Sequence, residues 1–374
     1  MAERDVVTYP YISTVGEVDL NTPLRKWHAA LANRHYSPAK IAIIGDSLSE
    51  GIGASKFGRG WVPMMTALLR NRFPVTGVVG GNGFVASWDN PGYGGGDPAY
   101  VYPVNQSNGS FSETQGFSLK SNTLLATNDQ LSYMFTGTSI HVWYIKQTNG
   151  GTFSVTIDGV IVQASVVTAG TSGTGVWTSA ALTAGSHTII VKRIAGGGTA
   201  SVLVNGFRVF NGDETKGIQI FNGSQSGLIS GQFAINAANG DKWAPWLSVI
   251  QPQLVIVELG LNDWSTDVTM VTTKANLKSI IATIRAKTTT DPSIVIYAAT
   301  EANSGTYAST FDQLHGVWTE VVAEDPKTAL FDAGTRIPAP IVDSTDGYYY
   351  DLLHPSDKGH SAIAEFMTAF LSPR

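Results

Sequence analysis

Cysteine is absent from all 374 residues. That excludes disulfides, thiolate metal sites and a thiol nucleophile, and it leaves the redox compartment open. Charge is scarce too. Asp, Glu, Lys and Arg make up 14% of the chain, and the net charge of −5 comes with no Lys/Arg-rich run. A nucleic-acid partner would need a basic stripe to displace counterions, so none is expected. No stretch approaches the roughly 18 consecutive apolar residues of a membrane span. The opening Met1-Ala-Glu-Arg-Asp5 has no secretory apolar region, which implies either no export by that route or prior removal of a signal. There is no H-E-x-x-H metal motif and no Walker loop. Gly81-Asn-Gly83-Phe-Val-Ala86 fits a loose dinucleotide pattern, but no helix pattern opens there.

Apolar residues account for 43% of the chain, so a substantial core is possible. The 40 glycines point to many turns. Low charge with abundant Gly, Ser and Thr fits a β-rich extracellular or particle-surface protein. The length suits one large domain or two ordinary ones.

Five short apolar runs read as buried parallel strands: Lys40–Ile44, Gly217–Phe221, Leu254–Glu258, Ser293–Ala298 and Ala329–Phe331. Helical patterns lie between most of them. Leu277, Ile280, Ile281 and Ile284 follow one buried helix face; Phe311, Leu314, Val317, Trp318 and Val321 come close to the same rule. Trp61–Phe73 and Ser356–Leu371 are further helix candidates. The expected fold is a three-layer α/β/α sandwich around a five-stranded parallel sheet.

From about Gly83 to Asp213 the rhythm changes. Leu131, Tyr133 and Phe135 alternate, as do Ile140, Val142 and Tyr144, and Phe153, Val155 and Ile157. Asp158-Gly159 has the chemistry of a two-residue hairpin turn, and Gly196-Gly-Gly198 separates the runs His187–Ile194 and Ala200–Phe210. Tyr93–Gln115 reads as loop. The expectation is an inserted β-sandwich over residues 83–213, dividing an α/β domain made of 1–82 and 214–374.

Four motifs carry chemistry. Gly45-Asp46-Ser47 ends the first strand, where open α/β sheets place their sites. Alone it reads as a turn with a capping serine, and Ser49 breaks the G-x-S-x-G elbow. Asp351-Leu-Leu-His354-Pro355 places a carboxylate three residues before an imidazole, with proline holding His354 extended. That spacing can bring Asp351 to one ring nitrogen and leave the other facing outward. Asp357 and His360 repeat it in second place. Gly260-Leu-Asn262-Asp263 ends another strand and offers a side-chain amide to a developing oxyanion. Phe221-Asn-Gly-Ser-Gln-Ser-Gly227 follows a third strand, and Gly227 can present an unobstructed backbone N–H.

Together and in this order, these blocks resemble the SGNH hydrolase superfamily, the GDSL esterases and lipases. The likeness covers roughly residues 36–75 and 214–374. It implies an SGNH/flavodoxin-like fold with Ser47 as nucleophile and His354 as base oriented by Asp351. The oxyanion hole it implies comprises the Ser47 and Gly227 amides and the Asn262 side chain. Gly81 lies nearer the family's uninterrupted spacing for the second block. Gly227 is preferred because the segment after it runs through a helix pattern and Gln251-Pro252 into the Val255 strand. No cofactor is required. The insert resembles, more loosely, a jelly-roll carbohydrate-binding module, in which Trp143, Tyr144 and Trp177 could stack on sugars and His187 is structural. The expected activity is O-deacetylation of a carbohydrate polymer, with an acylated glycan as substrate. The alternatives are a lipid or aryl ester hydrolase, or a glycan-binding cell-surface or phage-particle protein with secondary esterase activity. Oligomeric state is left open.

Overall fold

The computed structural model describes residues 22–87, 103–106, 110–113, 115–194, 201–234, 242–302, 305–340 and 347–373. The described chain begins with α1 (Arg25–Asn33), β1 (Ala39–Gly45), the one-turn α2 (Ser47–Glu50) and α3 (Trp61–Arg72). An all-β stretch follows: β2 (Gly83–Ala86), β3 (Val104–Gln106), β4 (Ser110–Glu113), β5 (Lys120–Leu124), β6 (Gln130–Gly137), β7 (Ser139–Lys146), β8 (Thr152–Ile157), β9 (Val160–Val167), β10 (Gly173–Thr178), β11 (Gly185–Ile194) and β12 (Val202–Phe210). Alternation then resumes with β13 (Ile218–Asn222), α4 (Ser230–Phe233), α5 (Ala244–Ile250), β14 (Leu254–Glu258), α6 (Leu261–Ser265), α7 (Met270–Lys287), β15 (Ser293–Ala298), α8 (Phe311–Glu324), β16 (Thr328–Asp332) and α9 (Asp357–Leu371).

The five apolar runs form adjacent parallel strands in the order β13-β1-β14-β15-β16. Their residues are buried along nearly their whole length, as expected for strands covered on both faces. Helices cover them in two groups, α3 with α9 and α7 with α4, α5 and α8. The helical periodicities hold: Leu277, Ile280, Ile281 and Ile284 are the buried stripe of α7, and Leu314, Val317, Trp318 and Val321 that of α8.

The sheet is not, however, the five-stranded parallel sheet the sequence suggests. It is mixed and, among the described residues, has eleven strands. An uncovered β13 edge would present unpaired N–H and C=O groups, and the inserted stretch takes them up. Strand β2 pairs parallel to β13 at Phe84 and Phe221, β12 runs antiparallel to β2, and β7 and β10 continue outward. A second, antiparallel sheet, β3-β6-β11-β8-β9, lies over this wing. The two share one core, with Val142, Tyr144, Val204 and Phe207 from the wing and Tyr133, Phe153 and Val191 from the second sheet. The expected jelly-roll insert is therefore not seen as a separate unit; one of the two sheets of this stretch is an extension of the α/β sheet.

The wing's other face joins the main core. Trp143 stacks on Trp246 of α5 with ring centroids 4.5 Å apart and planes 8° from parallel. Trp143 and Tyr144 are thus core residues rather than sugar platforms, and Trp177 packs half-buried against the sandwich core. His187 is fixed between Asp158 (2.6 Å) and the Thr183 carbonyl (2.8 Å), as a structural residue would be. The Asp158-Gly159 hairpin forms, with both residues at positive φ as a mirror-image turn requires. Within Tyr93–Gln115, Val104–Gln106 and Ser110–Glu113 are strands rather than loop. Residues 93–102, 107–109 and 114 lie outside the described residues, as do Gly196–Gly198 and residues 1–21.

Candidate active site

Three neighbouring strands, β13, β1 and β14, deliver their following loops to one edge of the sheet. After β1 the chain turns sharply at Asp46, whose Oδ1 accepts the Leu48 N–H at 3.0 Å and caps α2. This sets Ser47 as the first residue of that helical turn, 4% exposed.

His354 arrives from the far end of the chain. Asp351 organises its loop by accepting the backbone N–H of Leu353 (2.7 Å) and of His354 (2.5 Å) on Oδ1. Its Oδ2 lies 2.7 Å from His354 Nδ1. The carboxylate has no proton to give, so Nδ1 carries it and Nε2 presents a lone pair. Nε2 stands 3.0 Å from Ser47 Oγ. Burial pushes the Asp351 carboxyl up, but the hydrogen bonds from the His354 ring and backbone outweigh it and hold the group below the usual range. The loop docks on the turn after α2 at Gly53, where a Cβ would lie 2.3 Å from the Pro355 carbonyl and φ is +90°. Only glycine allows this approach.

Asn262, in α6 just after β14, donates from Nδ2 to Asp46 Oδ2 (3.1 Å) and to the Leu228 carbonyl (3.0 Å). Both amide protons are engaged, so an oxyanion facing Nδ2 would share or replace one of these acceptors. Gly227, at φ +75°, belongs to the turn after β13 and directly precedes Leu228. That turn is tied to α2 in three places. Asn222 donates to the Ser49 carbonyl at 2.8 Å, Gln225 donates to Glu50 Oε1 at 2.8 Å, and the Ser226 N–H donates to Glu50 Oε2. Gly81 stands elsewhere. It precedes β2 and packs on Val209, and its carbonyl accepts from Arg70, which also bonds the Ile218 carbonyl at the opposite end of β13.

The second Asp/His pair does not join the site. His360 is fully buried, accepts the Trp61 N–H at 3.3 Å and donates to the Ile52 carbonyl at 3.0 Å. Burial pushes its imidazole down to about 4. Asp357 accepts from Ser55 and Arg59 instead. Three groups behind the site escape sequence reasoning: Glu50, Asp46 as a hydrogen-bonding group, and Glu258. Glu258 had a legible signal, a carboxyl closing an otherwise apolar buried run. Among the described residues no cluster of His, Asp or Glu could hold a metal ion.

Against known proteins, the profile of the GDSL-like lipase/acylhydrolase family matches residues 167–362, just over half the chain. The match contains Gly227, Asn262, Asp351 and His354, and Ser47 lies before it. No curated protein matches by sequence. Among solved structures, one described as a peptidoglycan O-acetylesterase in action superposes with a TM-score of 0.67 at 16% identity, over 94% of this chain and 95% of that one. That likeness extends the shared fold across the β wing. A family two carbohydrate esterase from Clostridium thermocellum (18% identity, 72% and 98% covered) and an acetyl xylan esterase from Butyrivibrio proteoclasticus (12%, 72% and 95%) reach TM-scores of only 0.33 and 0.32. The profile match settles the family: this chain belongs to the GDSL-like lipases and acylhydrolases and is a carboxylic ester hydrolase.

Proposed function

We propose that the chain removes O-acetyl groups from a carbohydrate polymer through an acyl-enzyme on Ser47. The observation that carries the reading is the continuous line Asp351 Oδ2–His354 Nδ1 and His354 Nε2–Ser47 Oγ, at 2.7 and 3.0 Å. Ser47 gives its proton to Nε2 as Oγ bonds the ester carbonyl carbon. The carbonyl oxygen becomes an oxyanion, which the Ser47 and Gly227 amides and Asn262 Nδ2 would meet. His354 returns the proton to the departing alkoxide, leaving the acyl group on Oγ. Water, deprotonated by the same nitrogen, then releases the acid. Asp351 holds the tautomer and stabilises the imidazolium between these transfers.

The carbohydrate part of the proposal is supported by the whole-length likeness to the peptidoglycan O-acetylesterase, a likeness of fold. Trp143 and Tyr144 do not support it, since both are core. The test compares native protein and Ser47→Ala on p-nitrophenyl esters of rising chain length, acetylated xylan and peptidoglycan. The native protein should turn over acetyl esters best and release acetate from a polymer, and the variant should do neither. A preference for long acyl chains would favour the lipid-ester alternative.

A further inference from the structure

Two carboxyl groups meet directly beneath the nucleophile. Asp46 and Glu258 are each 1% exposed. The Asp46 N–H donates to Glu258 Oε2 at 3.1 Å, and the two side chains also share a hydrogen bond. Two ionised carboxylates cannot bond to each other, so a proton lies between them. Its owner follows from the remaining partners. Asp46 accepts the Leu48 N–H on Oδ1 and the Asn262 amide on Oδ2, which favours its charged form. Glu258 accepts the Asp46 N–H and a hydrogen bond from the Ser49 side chain, but no amide of the Asn262 kind reaches it among the described residues. Burial pushes Asp46 up to about 6 and Glu258 well above the usual carboxyl range, with the Asp46 charge adding to burial in the second case. His354, Asp263 and Tyr297 are the other titratable groups facing the pair.

We propose that Glu258 is a positioning residue for the oxyanion hole: protonated, it donates to Asp46, and the Asp46 carboxylate so anchored holds the Asn262 amide in place while capping the turn that carries Ser47. Glu258 touches neither substrate nor the reacting atoms. It acts through Asp46, across 212 residues of sequence. A protonated carboxyl offers one donor and one acceptor, as a glutamine amide does, and Gly45 leaves the room both need: a Cβ there would sit 2.9 Å from Glu258 Oε2.

The inference rests on the Ser47 reading, and the experiment separates the two. Glu258→Gln, Glu258→Leu and Ser47→Ala are compared with the native chain for kcat and KM on p-nitrophenyl acetate, and for inhibition by a boronic acid that forms a tetrahedral adduct on a serine. Glu258→Leu should lose about 10–100-fold in kcat, the rate equivalent of one hydrogen bond to a charged group, with KM little changed. Its boronate inhibition should weaken by a similar factor. Glu258→Gln should recover most of both losses. If Glu258→Gln falls as far as the leucine variant, or if Glu258→Leu keeps native kcat, the proposal is overturned. Should the leucine variant fail to fold, the glutamine variant alone decides, because an ionised Glu258 would not tolerate it. Turnover retained in Ser47→Ala would instead overturn the nucleophile reading.

Discussion

At the residue scale, Asn262 is the most exacting case. Its Nδ2 faces Asp46 Oδ2 and the Leu228 carbonyl at about equal distance, so it is held between two loops before any substrate arrives. As the proposed oxyanion donor it is positioned beforehand, and the transition state has only to share or replace one of these two acceptors. We expect Asn262→Ala to lower kcat by about 10²–10³ with a smaller effect on KM, measured by steady-state hydrolysis of p-nitrophenyl acetate. A loss below tenfold would make Asn262 a turn residue only. Ser47, Asp351, His354 and Asn262 were legible in the sequence because each sits in a short block whose partners are neighbours in the chain: Gly45-Asp46-Ser47, Asp351–His354, Gly260–Asp263. Glu50 and the Asp46–Glu258 pair were not. Their contacts cross 175 to 212 residues and depend on strands β13, β1 and β14 lying side by side, which no local pattern states.

At the scale of elements, α9 shows how the site is held from behind. Its Ser356 cap accepts the Gly359 N–H, and His360, in its first turn, pins it to the loop after α2 and to the start of α3. The fully buried imidazole titrates near 4, against 6.5 unperturbed. Between those values the unfolded chain takes up a proton that the folded chain refuses. Stability therefore falls as pH drops from about 6.5 to about 4, by on the order of 3 kcal/mol from this group. We expect His360→Gln, compared with the native chain by urea unfolding across that window, to flatten the slope by roughly one proton, or about 1.4 kcal/mol per pH unit. Native and variant share every other titration, so an unchanged slope would contradict the assignment. Elements of this length were legible. The repeat at Leu277–Ile284 and the β6 and β8 alternations matched the structure because long amphipathic or alternating segments bury one face, whereas β7 is buried on both, one face in each core. The one-turn α2 and α4 and the strands β3 and β4 are too short to show a period, and tertiary contacts alone define them.

At the scale of the whole molecule, the β wing and the hydrolase sheet share strands and core. The sequence showed where the alternation of strands and helices stops and resumes, near 83 and 213, but not that the two parts are one sheet. The joint rests on a single register pair, Phe221 with Phe84, on the antiparallel β2–β12 ladder, and on the Trp143–Trp246 stack. Periodicity says which face a strand buries and nothing about which edge it joins. Residues 83–213 are therefore proposed as an inserted segment that does not unfold separately. Calorimetry should give one cooperative transition for the whole chain, and Trp143→Ala, which removes about 3–5 kcal/mol of packing, should lower that single transition without splitting it. Two resolved transitions in the native chain would make the insert an independent domain. The same continuity underlies the central claim, that loops distant in the chain build one nucleophilic centre. The most direct test is labelling with a fluorophosphonate, followed by peptide mapping and intact mass. One adduct, on Ser47, lost in both Ser47→Ala and His354→Ala although each variant is folded, is the expected result. Labelling on another residue, or full labelling of Ser47 without His354, would contradict it.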